Sequence, residues 1–324
     1  FRDVYLAEPP YIDSAALGAT LMHEHVFVLS PEINQNYPET WGDENSRVED
    51  AVRQLRLLKS GGIDSIVDMT VLGLGRYLPR IRRIADRVDL HILVATGMMA
   101  CGELPAFFRS RRAWSRTRPP RDLVDMFVGD IRAGIGGTGI RAAVVKCATD
   151  SRGLTPAAEC VLRAAARAHR DTGAPLSTHT DARKQGGIEQ QRIFEEEGVD
   201  LSRVCIGHSG DTADLEYLQR LIDKGSLLGM DRFGMDALLP FDRRVDTVAR
   251  LCARGYADRM VLSHDAACYI DWLPEGAPQR SAPNWHFLHI CRDVLPALAE
   301  RGVSASQIRT MLVENPRRFL ENPA

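Results

Sequence analysis

Short apolar runs rich in β-branched residues alternate along this chain with amphipathic stretches of helical spacing, and this alternation limits the fold more than any other feature. An alternation of strands and helices predicts a parallel sheet. The eight strand-like runs are 18–28, 63–71, 90–96, 141–147, 174–180, 203–208, 226–230 and 260–265. The clearest helix-like stretches are 46–60, 121–134, 155–171, 213–223 and 243–255. We therefore predict an α/β fold, a single (β/α)8 TIM barrel.

The length of 324 residues and the lack of a composition break favour one domain over residues 1–324 rather than two doubly wound domains. A tail at about 286–320 is predicted to add one or two helices. The stretches 102–120 and 273–284 lack periodicity and are predicted to be long loops. The run 107–122 is rich in arginine. It is typical of a solvated face, with a lid or an attraction for anionic groups as the alternative.

The charge balance and the cysteines limit the kinds of partner and compartment. The chain has 41 basic and 43 acidic residues, a net charge of −2, so we expect neither a nucleic acid nor a membrane partner. Seven cysteines without a CxxC pair predict free thiols in a reducing compartment. No apolar run reaches the ~20 residues that cross a bilayer, and no signal peptide is visible. We expect a cytoplasmic location.

Side chains that can bind metals gather at the C-terminal ends of five predicted strands. They are His23, His25, Lys146, His179, His208 and Asp265. His23 and His25 lie two apart, so they share one face of the first strand and leave Glu24 on the other. In a barrel, the C-terminal rim is where active sites assemble. Imidazoles with a carboxylate fit zinc, iron or cobalt better than calcium or magnesium.

A single histidine in an apolar strand is usually a hydrogen-bonded core residue. The joint placement at one rim is what favours a metal site. The remaining histidines do not share this placement, and we expect them to be structural: His91, His169, His264, His286 and His289.

Lys146 is the unusual member of the set, because an ammonium ion beside metal ions would be repelled. It can lose its proton, or it can react with carbon dioxide to give a carbamate whose two oxygens bridge two cations. In a metal-free protein it would instead extend to solvent or pair with Asp265.

Several segments resemble the phosphotriesterase family of the amidohydrolase superfamily, and specifically its phosphotriesterase-like lactonases. They include GATLMHEHVF at 18–27, VVKCATD at 144–150, LSTHTDA at 176–182, GMDRFGMDALLPF at 229–241 and MVLSHDAACYIDW at 260–272. The similarity extends over nearly the whole chain. It implies a homodimer and two divalent transition-metal ions per chain, with zinc as the first candidate and iron or cobalt as the alternatives.

The resemblance also implies a role for each site residue. His23, His25 and Asp265 would hold the buried metal, and His179 and His208 the exposed one. Carboxylated Lys146 and a hydroxide would bridge the pair.

Further residues resemble the family's substrate pocket. Arg232 resembles the pocket arginine, and Trp272 resembles the residue that lines the acyl-chain channel and, in relatives, the dimer contact. Relatives have a tyrosine after the third strand that contacts the lactone oxygen. Here TGMMACGELP at 96–105 places Met99 and Cys101 where aromatic residues are expected. With Trp272, we expect Met98 and Met99 to bury an acyl tail.

These observations predict a hydrolase that acts on ester bonds by attack of a metal-bridging hydroxide. Asp265 would move a proton to the leaving alkoxide, and Arg232 would orient the ester oxygens. The leading substrates are N-acyl homoserine lactones, which implies quorum quenching, with phosphotriesters as a side activity. A phosphotriesterase or carboxylesterase with another main substrate is the alternative. A catalytically inactive ligand-binding barrel and a mononuclear deaminase-like enzyme are further alternatives, against which the complete set of six residues and Lys146 argue.

Overall fold

Nine strands form one curled parallel sheet in this computed structural model, which describes residues 3–4, 12–114 and 121–321. An antiparallel pair, β1 (Asp3–Val4) and β2 (Ile12–Asp13), precedes it. The strands of the sheet are β3 (Thr20–Val28), β4 (Ser65–Asp68), β5 (His91–Gly97), β6 (Val144–Ala148), β7 (Leu176–His179), β8 (Val204–Ile206), β9 (Leu227–Met230), β10 (Met260–Leu262) and β11 (Ala267–Ile270). Strands β3 to β10 confirm the eight predicted strands. Each of these strands up to β9 pairs in parallel with the next one along the chain.

The ninth strand, β11, was not predicted. Its four residues are all partly exposed, so they show neither the buried run nor the alternation by which strands are recognised in a sequence. It pairs in parallel with the end of β3, where Ala267 lies opposite His25 and Ile270 opposite Val28.

The two ends of the sheet curl round to meet each other. The amide of Asp265, just after β10, donates to the carbonyl of His23 in β3 at 3.0 Å, and the amide of His25 donates to the carbonyl of Ala266 at 2.8 Å. The buried carboxylate of Glu24 accepts hydrogen bonds from the amides of His264 and Ala266, both at 2.9 Å. The C-terminal ends of all eight predicted strands therefore surround one space.

Helices connect the strands and pack on the outside of the sheet. They are α1 (Pro31–Asn36), α2 (Glu44–Ser60), α3 (Leu78–Ala85), α4 (Ala106–Trp114), α5 (Arg121–Arg132), α6 (Pro156–Thr172), α7 (Gly187–Glu196), α8 (Leu215–Asp223), α9 (Phe241–Ala253), α10 (Ala277–Ser281), α11 (Leu295–Glu300), α12 (Ala305–Arg309) and α13 (Asn315–Leu320). The five predicted helices correspond to α2, α5, α6, α8 and α9. Two π-helical turns, Ile290–Val294 and Thr310–Glu314, join the tail into two helical stretches, which confirms the prediction for 286–320.

The prediction of long loops at 102–120 and 273–284 was wrong in part. The first stretch contains α4 and the second contains α10. Two neighbouring aromatic residues of α4 lie on different faces of the helix, because Phe108 is buried whereas Phe107 is half exposed. With arginines on either side, this leaves no clear helical period in the sequence. The rest of the basic run, residues 115–120, lies outside the described residues, so its predicted role stays a prediction.

The core has two layers, one on each face of the sheet. Along β5, Ile92 and Val94 pack outward under the helices, whereas Leu93 and Ala95 pack inside the curled sheet. This is the alternation that a strand imposes on successive side chains. None of the seven cysteines forms a disulfide bond, which agrees with the prediction of free thiols. Among the helices of the described residues, none has the length and hydrophobicity that a bilayer span requires.

Asn315 at the start of α13 connects the tail to the base of the sheet. Its fully buried amide nitrogen donates to the carbonyls of Ala257 and Met260 at 2.8 and 2.7 Å. The substitution Asn315→Ala leaves both buried carbonyls without this donor. We expect it to lower the free energy of unfolding by about 1–3 kcal/mol in urea titrations. Exposed Ser306→Ala in α12 is the control and should change it by less than about 0.5 kcal/mol. Equal stability of the two variants would contradict the assigned role.

Candidate active site

The six residues predicted to bind metals lie together at the C-terminal ends of their strands. His23 and His25 belong to β3 and Lys146 to β6. His179 ends β7, and the last two, His208 and Asp265, follow β8 and β10. The register of β3 shifts between Leu21 and Glu24, and both histidine side chains point inward, as predicted.

The first half of the cluster surrounds the Asp265 carboxylate. Its Oδ1 lies 3.1 Å from Nε2 of His25 and 3.4 Å from Nε2 of His23. Nε2 of His23 is in turn 2.8 Å from Nζ of Lys146. The ligand atoms of His23, His25 and Asp265 are close enough together to hold one metal ion.

The second half of the cluster is a pair of histidines. Nε2 of His208 lies 2.8 Å from Nδ1 of His179 and 3.8 Å from Oδ2 of Asp265. The imidazole rings of His208 and His23 are stacked with their centroids 4.8 Å apart. Asp265 therefore contacts both halves, one through each carboxylate oxygen.

Asp231 is a site residue that the sequence reasoning missed. Its carboxylate oxygens lie 2.9 Å from Nδ1 of His23 and 2.8 Å from Nδ1 of His208, and one accepts a hydrogen bond from the His208 amide at 2.7 Å. These three residues could themselves surround an ion. However, Asp231 uses the Nδ1 atoms, which turns the Nε2 atom of His23 toward Lys146 and that of His208 toward His179. A carboxylate behind a metal-binding imidazole usually has this orienting role. Its position directly after β9 is the signal that could have found it.

The protonation states suit metal binding. Burial and nearby Lys146 lower the pKa of His23, while burial and Arg232 hold the pKa of His179 and of His208 well below the usual range. Neutral imidazoles offer a lone pair to a metal. Burial alone would raise the pKa of Asp265, but His23, His208, His25 and Arg232 outweigh it and keep the carboxylate ionised.

Lys146 is only 2% exposed, so the alternative in which it extends to solvent is wrong. Burial lowers the pKa of Lys146 to about 8, and Asp265 and Asp231 offset part of this effect. At pH 7 roughly a tenth of the amine is then neutral, and the neutral amine is the form that can react with carbon dioxide.

Two of the cluster residues have an unusual backbone. His208 and Asp265 have φ angles of 58° and 55°, and among the described residues only Gln185 is a further non-glycine residue in this left-handed region. Such conformations cost free energy and tend to occur at functional sites. The indole Nε1 of Trp285 donates to the carbonyls of His264 and Asp265 at 3.0 and 3.1 Å, which holds this part of the chain in place.

Arg232 connects the cluster to its surroundings. Its Nε donates to Oδ2 of Asp265 at 2.9 Å, and its Nη1 donates to Oδ2 of Asp211 at 3.1 Å. Burial would lower the pKa of Arg232, but the two carboxylates raise it further above its ordinary value. Arg232 thus brings a permanent positive charge to the edge of the cluster.

An apolar cavity of about 230 Å³ lies above the cluster. Arg232, Met99 and Trp272 line it, as predicted. The other lining residues outside the cluster are Val28, Leu74, Met235, Ala267, Ile270, Leu273 and Trp285. A second cleft of about 350 Å³, lined by β11, α2 and the segment 273–287, lies beside the first and shares Ala267, Ile270, Leu273 and Trp285 with it.

Met98, which was predicted to contact the substrate, lies away from this cavity. Its side chain is 1% exposed and packs in the outer layer of the core, and it does not line the cavity. The reason is the alternation of side chains along β5, because Met98 continues the outward set of Ile92 and Val94. Met99 continues the inward set of Leu93 and Ala95 and therefore faces the cavity. Cys101 is buried and also lies outside the lining.

Comparison with known proteins was consistent across sequence and structure. The sequence model of the Phosphotriesterase family matches residues 7–320. The chain is 57% identical over 310 residues to the phosphotriesterase homology protein of Mycobacterium tuberculosis (strain CDC 1551 / Oshkosh), covering 96% of this chain and 95% of that protein. It is 39% identical over 311 residues to the aryldialkylphosphatase of Saccharolobus solfataricus, covering 95% and 96%. It also resembles the solved structure of the phosphotriesterase from Mycobacterium tuberculosis, with a TM-score of 0.95 and 55% identity over 99% of this chain and 98% of that one.

The lowered pKa of Lys146 predicts a pH-dependent stability in chelated, carbon dioxide-free protein. Between pH 8 and 10.5 the unfolded lysine is protonated while the folded one is mostly neutral. The unfolded state binds more protons there, so the contribution of Lys146 to the free energy of unfolding rises with pH, by at most about 1.4 kcal/mol per pH unit.

The measurement is the difference in the free energy of unfolding between the wild type and Lys146→Met, taken by urea titration at pH 7 to 10. Lys59→Met is the control, because its partner Asp64 raises the pKa of Lys59 instead. If the difference in the free energy of unfolding between the wild type and Lys146→Met does not change with pH over this range, the prediction is contradicted.

Proposed function

This chain belongs to the phosphotriesterase family of hydrolases, and from that membership we propose that it is a metal-dependent lactonase. Its principal substrates would be N-acyl homoserine lactones, with phosphotriesters as secondary substrates. The proposed architecture is one (β/α)8 TIM barrel with a binuclear metal centre at its C-terminal mouth. The observation that carries the proposal is the convergence of four imidazoles, one lysine and one carboxylate beneath an apolar cavity.

The donor set fits two divalent transition-metal ions, of which zinc, iron and cobalt are the candidates. His23, His25 and Asp265 would hold one ion, His179 and His208 the other, and Lys146, as a carbamate, would bridge them. The chemistry that such ions supply is Lewis acidity toward water and toward the carbonyl or phosphoryl oxygen of a substrate. Neutral imidazoles and an ionised carboxylate are the states in which these side chains bind metals.

Asp265 is the residue placed to move a proton. Its Oδ1 faces His23 and His25, its Oδ2 faces Arg232, and its pKa is held well below the ordinary value. An alkoxide leaving a lactone carbonyl needs a proton, and a positioned carboxylate can carry one to it from the attacking water.

Arg232 and the cavity wall would bind the substrate. Two of the guanidinium nitrogens are used by Asp265 and Asp211, and Nη2 has no polar partner among the described residues. This nitrogen is the donor available to an ester oxygen. The apolar side chains around it, such as Met99 and Met235, would bury an acyl tail, each methylene contributing about 0.8 kcal/mol.

A lactone with an apolar tail fits this cavity better than a compact triester does, because most of the lining is apolar. The alternative is a phosphotriesterase or carboxylesterase with another main substrate. It is favoured by Met99, which lacks the hydroxyl that would contact a lactone oxygen, and by the similarity to a relative named aryldialkylphosphatase. The homodimer also remains a proposal, for which half-exposed Trp272 is the candidate contact.

Kinetics on a substrate panel test the proposal. Zinc- or cobalt-loaded protein should have its highest kcat/KM on N-decanoyl homoserine lactone, about tenfold or more above N-butanoyl homoserine lactone, a ratio that needs burial of only about two of its additional methylenes. Both δ-valerolactone and diethyl 4-nitrophenyl phosphate should be slower. Removal of the metal by a chelator should abolish turnover, and added metal should restore it. Faster turnover of the triester would favour the alternative, and activity that is insensitive to the chelator would reject a metal-dependent hydrolase.

The substitution Asp265→Asn tests the proton role. We expect kcat to fall by about 10²- to 10⁴-fold, the usual contribution of general acid–base catalysis, while elemental analysis shows most of the metal still bound. Asp258→Asn, at a half-exposed carboxylate before β10, is the control and should retain wild-type kcat. An Asp265→Asn variant with unchanged turnover would rule out the proton role.

A further inference from the structure

Arg244 is a fully buried arginine outside the cluster. It lies in the first turn of α9 with 1% of its surface exposed. Its Nε donates to the carbonyl of Leu239 at 3.0 Å, Nη1 to Gly210 at 2.7 Å and Nη2 to Met235 at 3.1 Å. These bonds connect the segment after β9, which includes Met235 in the cavity wall, to the turn after β8. A buried charge with this many partners is costly to replace.

The charge of Arg244 is balanced by Asp211. Nη2 of Arg244 lies 2.8 Å from Oδ1 of Asp211, and both side chains are almost entirely buried. The contact is chiefly electrostatic, because the aligned hydrogen bond of Nη2 runs to Met235 and Oδ1 of Asp211 has no aligned donor among the described residues. The other oxygen of Asp211 accepts the hydrogen bond from Nη1 of Arg232.

A row of alternating charges therefore leads from α9 into the cavity. Arg244, Asp211, Arg232 and Asp265 follow one another at 2.8, 3.1 and 2.9 Å. In this row Asp211 is shared between two guanidinium groups, and Arg232 is shared between two carboxylates. Without the charge of Arg244, the buried Asp211 would have Arg232 as its one cationic partner in the row. It would then draw Arg232 away from Asp265.

We propose that Arg244 is a positioning residue for hydrolysis, which holds Asp211 so that the free nitrogen of Arg232 points at the substrate. Arg244 touches neither the substrate nor the six cluster residues, and it acts through Asp211 and Arg232. This inference rests on the proposed function in one respect, namely that Arg232 contacts the ester oxygens. Arg244 also donates a hydrogen bond to the carbonyl of Met235, which lines the same cavity as Arg232.

A double-mutant cycle tests whether Arg244 acts through Arg232. We expect Arg244→Met to lower kcat/KM for N-decanoyl homoserine lactone by about 10- to 100-fold, since a shift of about 1 Å in a positioning group can cost this much. In the Arg232→Met background the same substitution should cost less than about threefold. Equal losses in both backgrounds would overturn the proposal. The bound metal, measured by elemental analysis, should be the same in all four proteins.

The conservative variant separates charge from packing. Arg244→Lys keeps the charge near Asp211 but loses most of the carbonyl hydrogen bonds, so its kcat/KM should be at least about fivefold higher than that of Arg244→Met. Equal values would overturn the role of the charge. If Arg244→Met does not fold, Arg244→Gln takes its place as the uncharged variant.

A matched control excludes a general effect of losing a buried arginine. Arg80 is 6% exposed, pairs with Glu44 at 2.9 Å, and lies over the ring of Trp41. Arg80→Met should lower stability but leave kcat/KM within about twofold of the wild type. A loss as large as that of Arg244→Met would overturn the assignment.

A crystallographic measurement does not depend on the substrate. In zinc-loaded Arg244→Met or Arg244→Gln, the guanidinium of Arg232 should lie about 1 Å or more from its wild-type position. An unchanged position would overturn the inference. If the wild type hydrolyses none of the lactones or esters, the proposed function fails, whereas the crystal structures still decide whether Arg244 positions Arg232.

Discussion

The contacts of the Asp265 carboxylate are the interaction on which the rest of this site depends. One oxygen faces His23 and His25, and the other faces Arg232 and His208. Burial of so many ionisable groups is tolerated only because each is neutral or has an oppositely charged neighbour. The curl of the sheet makes this possible, since it brings the end of β10 beside β3 and fixes Asp265 against His23.

The same balance explains why several pKa values are lowered for different reasons. Burial lowers the pKa of His23, His179, His208 and Lys146, whereas the imidazoles and Arg232 around Asp265 lower the pKa of that carboxyl against the effect of burial. The cluster therefore presents lone pairs and a negative charge at neutral pH without any further partner. A site with these properties is prepared for cations before they arrive.

The sequence was sufficient to predict the eight strands and the rim residues, because strand patterns are local and parallel strands share one direction. It was insufficient where a tertiary contact decides the outcome. Asp231 follows its strand as the others do, but its role depends on two imidazoles from distant strands. From the sequence alone, Arg244 would be assigned to the exposed face of a helix, because no neighbouring residue in the sequence indicates its contact with Asp211. The opposite facings of Met98 and Met99, by contrast, follow the regular alternation of β5 and were open to prediction from the sequence.

The short strand β11 is a partition between two chambers. Ile270, Leu273 and Trp285 line both the cavity above the cluster and the larger cleft behind it. The strand pairs with β3, and Gln54 of α2 donates to the carbonyl of Cys268 in the strand at 3.2 Å. A change at a residue that lines both chambers therefore alters both of them at once. Substitutions on the side of β11 that faces the larger cleft could therefore change substrate specificity and leave the ionisable groups of the cluster untouched.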